Sequence, residues 1–147
     1  MTIFLGIGTN LGDRESNLHE ALHLLDDRVG KQLACSSVYR SAPLGFVSNN
    51  YFANIVVVYQ TDYSLEDLLL ITQQIEREMG RTQKSINGIY HDRVIDIDLL
   101  KAYQTVNSKL SVLNCQQSNL QLPHPRMHER DFVMIPLREV EELLSLN

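Results

Sequence analysis

Apolar residues recur along the chain with two different periods, and these periods predict the order of strands and helices. Residues 2–9 form an apolar run with two glycines that predicts a strand. A helix capped by Asp13 is predicted next, because apolar residues there follow a 3.6-residue period: Leu18, Leu22, Leu25 and Val29. The chain therefore begins with a strand followed by a helix.

A second block repeats the theme with two strands before a helix. Residues 31–40 and 51–61 are both predicted to be strands, and the second range is rich in the β-branched and aromatic side chains that favour strands. Ser64 and Asp67 have the spacing of a capping box, and Gly80 is placed to end the helix that follows. Its apolar stripe consists of Leu68, Thr72, Ile75 and Met79.

The last third of the chain predicts one strong strand and weaker elements. Residues 81–92 are polar and aperiodic, which indicates a long loop before the apolar strand that contains Asp96 and Asp98. Residues 104–121 predict a short hairpin or an irregular excursion, and residues 136–146 a terminal helix with Pro136 near its first turn. The order β-α-β-β-α-β predicts a ferredoxin-like α+β fold: an antiparallel sheet, helices on one face, a C-terminal extension, and a second face that could bind ligands.

Composition narrows the class of protein. A chain of 147 residues that is 44% hydrophobic fits one domain, residues 1–147. A net charge of −5 without a basic block argues against nucleic acid as a partner, and the absence of a long apolar run or leader argues against a membrane location. We therefore expect a cytoplasmic protein. Cys35 and Cys115 match no metal-binding spacing and are expected to be free thiols.

The segment with the clearest chemistry holds two carboxylates two residues apart. Asp96 and Asp98 lie within an apolar strand, so their side chains project to the same face. Two neighbouring anions repel unless a cation lies between them, and Mg²⁺ carrying polyphosphate is the natural occupant. The alternative is a half-exposed strand whose outer face happens to be acidic.

The glycine-rich start, Gly6 to Gly12, resembles a nucleotide-binding loop but fails its spacing. Leu11 occupies the place where the dinucleotide fingerprint requires its third glycine, and no phosphate-binding G-x-x-x-x-G-K-[ST] loop exists in the chain. These glycines are therefore interpreted as allowing a tight turn and a close backbone approach, with packing beside a ligand as the second interpretation.

Other residues gain meaning beside the acidic strand. Gln73 and Glu76 lie on one side of the second helix, where they could contact a nucleotide or be ordinary solvated side chains. Arg81, Lys84 and Arg93 flank the polar loop and could clamp phosphates. Residues 122–132 concentrate two His, two Arg and an aromatic side chain, with His124 held between two prolines.

Together these blocks resemble the 6-hydroxymethyl-7,8-dihydropterin pyrophosphokinase family nearly from end to end. The resemblance rests on motifs in sequence order: Gly6 to Arg14, Tyr39 to Gly45, Phe52 to Asn54, Gln73 to Glu76, Gly80-Arg81, Arg93 to Asp98, and Pro123 to Met127 with Arg130 and Phe132. It implies an enzyme of folate biosynthesis that transfers the pyrophosphoryl group of ATP to the pterin hydroxymethyl group and releases AMP. A monomer with these two small-molecule substrates is expected.

The resemblance also implies a role for individual residues. Asp96 and Asp98 would hold two Mg²⁺ ions on the ATP phosphates, and Arg81 and Arg93 would act on the transferring group. The ATP-binding set comprises Leu69, Gln73, Glu76, Lys84, Leu99, His124 and Arg130. The pterin would lie between Phe52 and Phe132, near Ser41, Ala42, Pro43, Leu44, Gly45 and Asn54, with Tyr90 as the lid aromatic. Gln83 and Pro125 depart from the common pattern.

Two other functions are compatible with parts of the pattern. A nucleotidyltransferase would keep the metal site but release pyrophosphate instead of AMP. A non-catalytic ferredoxin-like module would bind a metabolite without consuming ATP, and this architecture hosts many functions. The Arg, His and Asp residues concentrated near one predicted site argue against a module without catalysis.

Overall fold

The computed structural model describes residues 1–41, 51–80 and 94–145. In chain order the strands and helices are β1 (Thr2–Thr9), α1 (Arg14–Arg28), β2 (Lys31–Cys35), β3 (Tyr39–Ser41), β4 (Phe52–Gln60), α2 (Leu65–Glu78), β5 (Asp96–Val106), β6 (Lys109–Val112), β7 (Cys115–Gln117), β8 (Leu120–Leu122) and α3 (Asp131–Leu143). A 3-10 turn, Met127–Glu129, precedes α3.

The main sheet has the spatial order β2-β4-β1-β5-β6, and β3 pairs with β4 on the same side as β2. Every recorded strand pair is antiparallel, and β7 and β8 form a separate hairpin. The predicted ferredoxin-like βαββαβ order is confirmed. The chain runs through β1, α1, β2 followed by β3, β4, α2 and β5, and β2 and β3 together take the place of the second strand.

Alternation along β1 divides the apolar core between the two faces of the sheet. Ile3, Leu5 and Ile7 pack on the face that carries α1 and α2, whereas Phe4 points to the opposite face. On that opposite face α3 covers Phe4 and Val56 with an apolar side. The helix of the C-terminal extension therefore lies across the sheet from α1 and α2, and it occupies part of the face that the sequence left open for ligands.

Both predicted helix caps are confirmed. The Asp13 carboxylate accepts a hydrogen bond from the Ser16 backbone N–H at 3.0 Å, and the Ser64 hydroxyl accepts one from the Asp67 N–H at 3.2 Å. Each cap satisfies a backbone donor that the first helical turn leaves without a partner. These local bonds explain why α1 and α2 begin where the sequence predicts.

The strand predicted over residues 31–40 is two strands, because Ser36 interrupts the ladder. Its hydroxyl accepts the Val56 N–H at 2.9 Å, a bond that a backbone carbonyl would otherwise accept. A side chain in place of the carbonyl lets the backbone turn away. Strand β2 therefore ends at Cys35 and β3 begins at Tyr39.

The terminal helix begins five residues earlier than the sequence predicts. The Met134 N–H donates to the Arg130 carbonyl at 2.9 Å, so α3 starts at Asp131 and Pro136 lies inside it. The helix tolerates the proline because Pro136 is buried together with Val133, Leu137 and Val140. Residues 104–121, predicted as a hairpin or an irregular excursion, form the β5–β6 hairpin and most of the β7–β8 hairpin.

Cys35 and Cys115 are free thiols, as predicted. Within the described ranges, no helix combines the length and apolar character needed to cross a membrane.

Candidate active site

Gly8 on β1 presents backbone without a side chain on the sheet face that carries Phe4, and this strip of bare backbone is called the Gly8 lane. Gly8 on β1 pairs with Asn54 on β4 and with Asp96 on β5. Cross-strand partners project to the same face, and neighbouring strands lie about 4.8 Å apart, so the amide and the carboxylate stand on either side of Gly8 roughly 10 Å from one another. The sheet thus places a predicted pterin residue and a predicted metal ligand around one glycine.

Gly8 is required by the space around it. A Cβ atom there would lie 2.9 Å from Asn54 Oδ1 and 3.7 Å from Phe52 Cδ1. The first distance is shorter than a normal contact, so any side chain would displace the amide. Both parts of the first interpretation of the glycine-rich segment are therefore confirmed, the close backbone approach at Gly8 and the tight turn at Gly12, whose φ is +67°.

Asp96 and Asp98 have the placement that strand periodicity predicts. Both are partly exposed, while Ile95, Ile97 and Leu99 between and beside them are buried at 0%, 6% and 4% exposure. Within the described parts of the chain, no three His, Cys, Asp or Glu side chains converge where they could hold a metal ion. Two carboxylates are enough for Mg²⁺, because this ion usually takes its remaining ligands from phosphate oxygens and water molecules.

Glu76 supports the acidic strand from the side of α2. It is only 6% exposed, and its Oε2 accepts the Ile97 N–H at 2.8 Å. Strand β6 pairs with β5 only at residues 103–106, so the outer edge of β5 at Ile97 lies beyond that ladder. The carboxylate serves as acceptor for the peptide N–H between Asp96 and Asp98.

A cleft of about 260 Å³ opens beside Asp98. It brings together four residues of the predicted site, namely Leu69, Asp98, Leu99 and His124. Its other lining residues are Ile97, Pro125 and, from the β7–β8 hairpin, Ser118, Asn119, Leu120 and Gln121. Gln73, Glu76 and Arg130 do not line this cleft.

The sequence predicts a hairpin or an irregular excursion over residues 104–121, but it does not predict that the β7–β8 hairpin forms a wall of this cleft. The Ser118-Asn119 pair between two short alternating segments is a turn signal that could have located the hairpin. Its position over the cleft depends on long-range packing, and no local pattern predicts it.

His124 is held in one orientation and one tautomer. Its backbone N–H donates to the Leu100 carbonyl at 2.7 Å, and its Nδ1 accepts the Arg126 N–H at 3.3 Å. Burial lowers the pKa of the imidazole below its usual value, the charges of Arg130 and Arg126 act in the same direction, and Asp96 opposes them. With Nδ1 an acceptor, the neutral ring carries its proton on Nε2 and is a hydrogen-bond donor there.

The amide of Asn54 is likewise oriented by its partners. Its Nδ2 donates to the Tyr39 carbonyl at 3.3 Å and to the Ser41 hydroxyl at 3.0 Å. A carbonyl can only accept, so the nitrogen must face β3 and Oδ1 must face Gly8. Asn54 and Ser41, both predicted at the pterin, are thus in direct contact.

The two aromatic side chains predicted around the pterin come from different elements. Phe52 begins β4 beside Gly8, and Phe132 lies in the first turn of α3, where it packs against the apolar cluster beneath that helix. The Arg130 guanidinium lies 5.7 Å from the centre of the Phe132 ring. Gln73 is half-buried on α2, one turn from Glu76.

Several predicted residues lie outside the described residues. They are Ala42, Pro43, Leu44, Gly45, Arg81, Lys84, Tyr90 and Arg93, together with the departure at Gln83.

Asn17 is a further residue that the sequence did not single out. Its Nδ2 donates to the Leu11 carbonyl at 2.8 Å, to the Thr9 hydroxyl at 3.2 Å and to the Val94 carbonyl at 3.5 Å. One side chain thus joins the turn after β1 to the segment that enters β5. An asparagine in the first turn of a helix carries no sequence signal for such a contact.

Comparison with known sequences identifies relatives over nearly the whole chain. A family model described as 7,8-dihydro-6-hydroxymethylpterin-pyrophosphokinase (HPPK) matches residues 4–142. The 2-amino-4-hydroxy-6-hydroxymethyldihydropteridine pyrophosphokinase of Porphyromonas gingivalis is 49% identical over 138 residues, which cover 94% of this chain and 89% of that protein. The Bacillus subtilis protein of the same name is 36% identical and is matched over 76% of its length, with 93% of this chain covered.

Solved structures share the fold at low sequence identity. A longer HPPK-DHPS chain crystallised in complex with substrates matches 95% of this chain with a TM-score of 0.65 and 15% identity. Plasmodium falciparum HPPK-DHPS with pteroate matches 93% of it with a TM-score of 0.63 and 17% identity. This chain spans 40% and 38% of those two chains. At these identities the likeness shows the fold alone.

Proposed function

Since this chain belongs to the 7,8-dihydro-6-hydroxymethylpterin-pyrophosphokinase family, we propose that the lane at Gly8, the carboxylates beside it and the adjoining cleft are its active site. The enzyme transfers a pyrophosphoryl group from ATP to 6-hydroxymethyl-7,8-dihydropterin in folate biosynthesis. The observation that carries the site assignment is the common face shared by Asn54, Gly8 and Asp96.

We place the nucleotide in the cleft beside Asp98. Leu69 and Leu99 supply apolar surface for the adenine, and His124 supplies the Nε2–H donor. Glu76, Gln73, Arg130 and Lys84 complete the proposed ATP set. For Glu76 the role includes support of β5, because its carboxylate already accepts the Ile97 N–H.

We assign two Mg²⁺ ions to Asp96 and Asp98. Carboxylate oxygens are the ligands that Mg²⁺ prefers, and the partial exposure of both groups leaves them accessible to it. When bound there, the ions would neutralise charge on the phosphates and hold them for in-line displacement. The role of the protein is to keep both carboxylates on one face of β5.

The pterin is proposed to lie on the opposite side of the Gly8 lane. Phe52 and Phe132 would stack on its faces, and Asn54 Oδ1 would accept hydrogen bonds from its ring or amino N–H groups. Ser41 contributes by fixing that amide, and Ala42 to Gly45 with Tyr90 would complete the pocket.

The proposed reaction is an in-line attack by the pterin hydroxymethyl oxygen on the β-phosphorus of ATP, with AMP as the leaving group. Positioning and electrostatic stabilisation can supply most of the rate enhancement in phosphoryl transfer. Arg81 and Arg93 would stabilise charge on the transferring group. No side chain is assigned as general base.

One assay tests substrate, metal and reaction type together. Purified protein is incubated with ATP, Mg²⁺ and 6-hydroxymethyl-7,8-dihydropterin, and AMP that depends on the pterin is the expected product. Release of pyrophosphate instead would favour the nucleotidyltransferase alternative. The family membership argues against the non-catalytic alternative, since the relatives are named as pyrophosphokinases.

The metal assignment is tested with Asp96→Ala and Asp98→Ala. Each variant should lose at least about a hundredfold in turnover while its unfolding midpoint changes little, because partly exposed carboxylates contribute little to stability. Asp27→Ala, which removes an exposed carboxylate on α1, is the matched control and should retain wild-type activity. Near-wild-type rates of both β5 variants at limiting Mg²⁺ would refute the assignment.

A single domain, a monomer and a cytoplasmic location stay predictions.

A further inference from the structure

Arg14 has a contact pattern that the reaction described above does not use. It is the first residue of α1, and its Nε donates a hydrogen bond to the Tyr51 carbonyl at 2.8 Å. Its guanidinium carbon also lies 3.9 Å from the centre of the Tyr51 ring. Two interactions of different kinds therefore join α1 to one residue 37 positions later in the chain.

The Tyr51 carbonyl belongs to the peptide plane that leads directly into Phe52. The β1–β4 ladder ends at Thr9 and Ala53, and the β3–β4 ladder ends at Ser41 and Phe52, so Tyr51 lies beyond both. A strand end outside its ladders can tilt its last peptide plane. The β1 and β3 ladders do not extend to the Tyr51 carbonyl, and Arg14 of α1 donates a hydrogen bond to it there.

The orientation of this peptide plane defines the φ angle of Phe52, and the backbone φ and ψ angles limit which rotamers its side chain can adopt. Phe52 lies beside the Gly8 lane, where its Cδ1 would be 3.7 Å from a Cβ on Gly8. We infer that Arg14 is a positioning residue that fixes the ring of Phe52 for the pterin, an inference that rests on the proposed function.

Arg40 supplies a matched comparison. Its guanidinium carbon lies 5.9 Å from the same Tyr51 ring, and its Nη2 forms an exposed ion pair with Glu15 at 3.4 Å. Arg40 thus shares charge and neighbourhood with Arg14 but donates no recorded hydrogen bond to the Tyr51 carbonyl. An exposed pair of this kind contributes little to stability.

Steady-state kinetics with Arg14→Met and Arg40→Met test the inference. Arg14→Met should raise the KM for the pterin by about tenfold, the effect of one charge-assisted hydrogen bond, and should change the KM for ATP by less than about twofold. Arg40→Met should leave both within about twofold. An unchanged pterin KM in Arg14→Met, or equal increases in both KM values, would overturn the inference.

A double-variant cycle identifies the route. If Arg14 acts through Phe52, then Arg14→Met should add less than about twofold to the KM of Phe52→Ala. Effects that multiply would show that Arg14 acts elsewhere.

A readout without turnover separates this inference from the proposed function. In NMR spectra, Arg14→Met should shift the Phe52 ring signals and Arg40→Met should not. Unmoved signals in Arg14→Met overturn the positioning role whether or not the enzyme is active. A wild-type protein that makes no pterin-dependent AMP overturns the proposed function, while the NMR comparison still decides the positioning of Phe52.

Discussion

Glu76 shows how a single side chain on α2 can support the strand that carries Asp96 and Asp98, by accepting a backbone hydrogen bond from it. Glu76→Ala removes the acceptor of the Ile97 N–H, and a buried donor without a partner costs about 1–3 kcal/mol of unfolding free energy. Glu76→Gln keeps an oxygen at the same position and should lose less than half of that. Urea unfolding of both variants measures the difference.

Equal losses in the two variants would contradict this role of Glu76, because they would mean that the negative charge matters more than the acceptor. If turnover falls in Glu76→Ala together with stability but recovers in Glu76→Gln, support of the Asp96–Asp98 segment is the cause.

His124 makes stability depend on pH in a stated direction. Its pKa is lower in the folded protein than in the unfolded chain, so the unfolded chain binds the proton more readily. The contribution is fully present above the usual histidine value of about 6.5 and is lost as the pH falls from there toward the folded pKa. In metal-free buffer, the melting temperature of the wild type should fall more steeply than that of His124→Gln between pH 7.5 and pH 5.5.

A parallel decline of the two proteins with pH would contradict the lowered pKa of His124. His128→Gln serves as control, because His128 is an exposed side chain beside the same turn.

At the scale of residues, the sequence predicted what strand periodicity dictates. Asp96 and Asp98 share a face because side chains alternate, and that follows from two-residue spacing alone. The orientation of Asn54 was not predictable, because it depends on a carbonyl of β3, 15 residues earlier in the chain. The hydrogen bond from Arg14 to the Tyr51 carbonyl was not predictable either, because the two residues are 37 positions apart in the chain.

At the scale of elements, β1 contributes its backbone more than its side chains to the proposed site. Gly8→Ala places a Cβ 2.9 Å from Asn54 Oδ1 and should raise the pterin KM by about tenfold through loss of the amide position. Gly6→Ala is the matched control, because its Cβ would meet the buried methyl groups of Leu100 at 3.3 Å and not the Asn54 amide. Kinetics of both variants at saturating ATP check the prediction.

The prediction for Gly8 fails if both alanine variants bind the pterin alike. A loss of stability common to both would point to the strand rather than to the amide, and thermal unfolding detects it.

Element boundaries were predictable where a local bond sets them. The caps at Asp13 and Ser64 lie within three residues of their partners, so the sequence contains the whole interaction. The break at Ser36 and the early start of α3 depend on β4 and on the apolar face beneath α3, which are distant in sequence. Tertiary contacts decide such boundaries, and a proline within the helix misled the prediction for α3.

At the scale of the whole molecule, a nearly buried ion pair fastens α3 to the sheet. Lys101 Nζ lies 3.0 Å from Glu141 Oε2 and 3.1 Å from the Tyr103 hydroxyl, and 4.8 Å from the centre of the Phe4 ring. Lys101→Met should lower the unfolding free energy by about 2 kcal/mol or more, because Glu141 would lose its cation. Lys101→Met combined with Glu141→Leu should recover most of the loss.

Urea unfolding of the two single variants and the double variant gives the coupling energy. Additive losses would show that the pair is not the contact that matters, and that the aromatic neighbours of Lys101 stabilise α3 on their own.

The bare backbone at Gly8 affects how resistance to an inhibitor could arise. A flat compound resting on that lane would touch main-chain atoms, which mutation cannot trim away. Enlarging the residue collides with Asn54 and should penalise the natural substrate as well. We therefore expect resistance substitutions on the flanking strands β4 and β5 and not at Gly8. A compound that contacts only the Gly8 backbone would leave few positions for such substitutions.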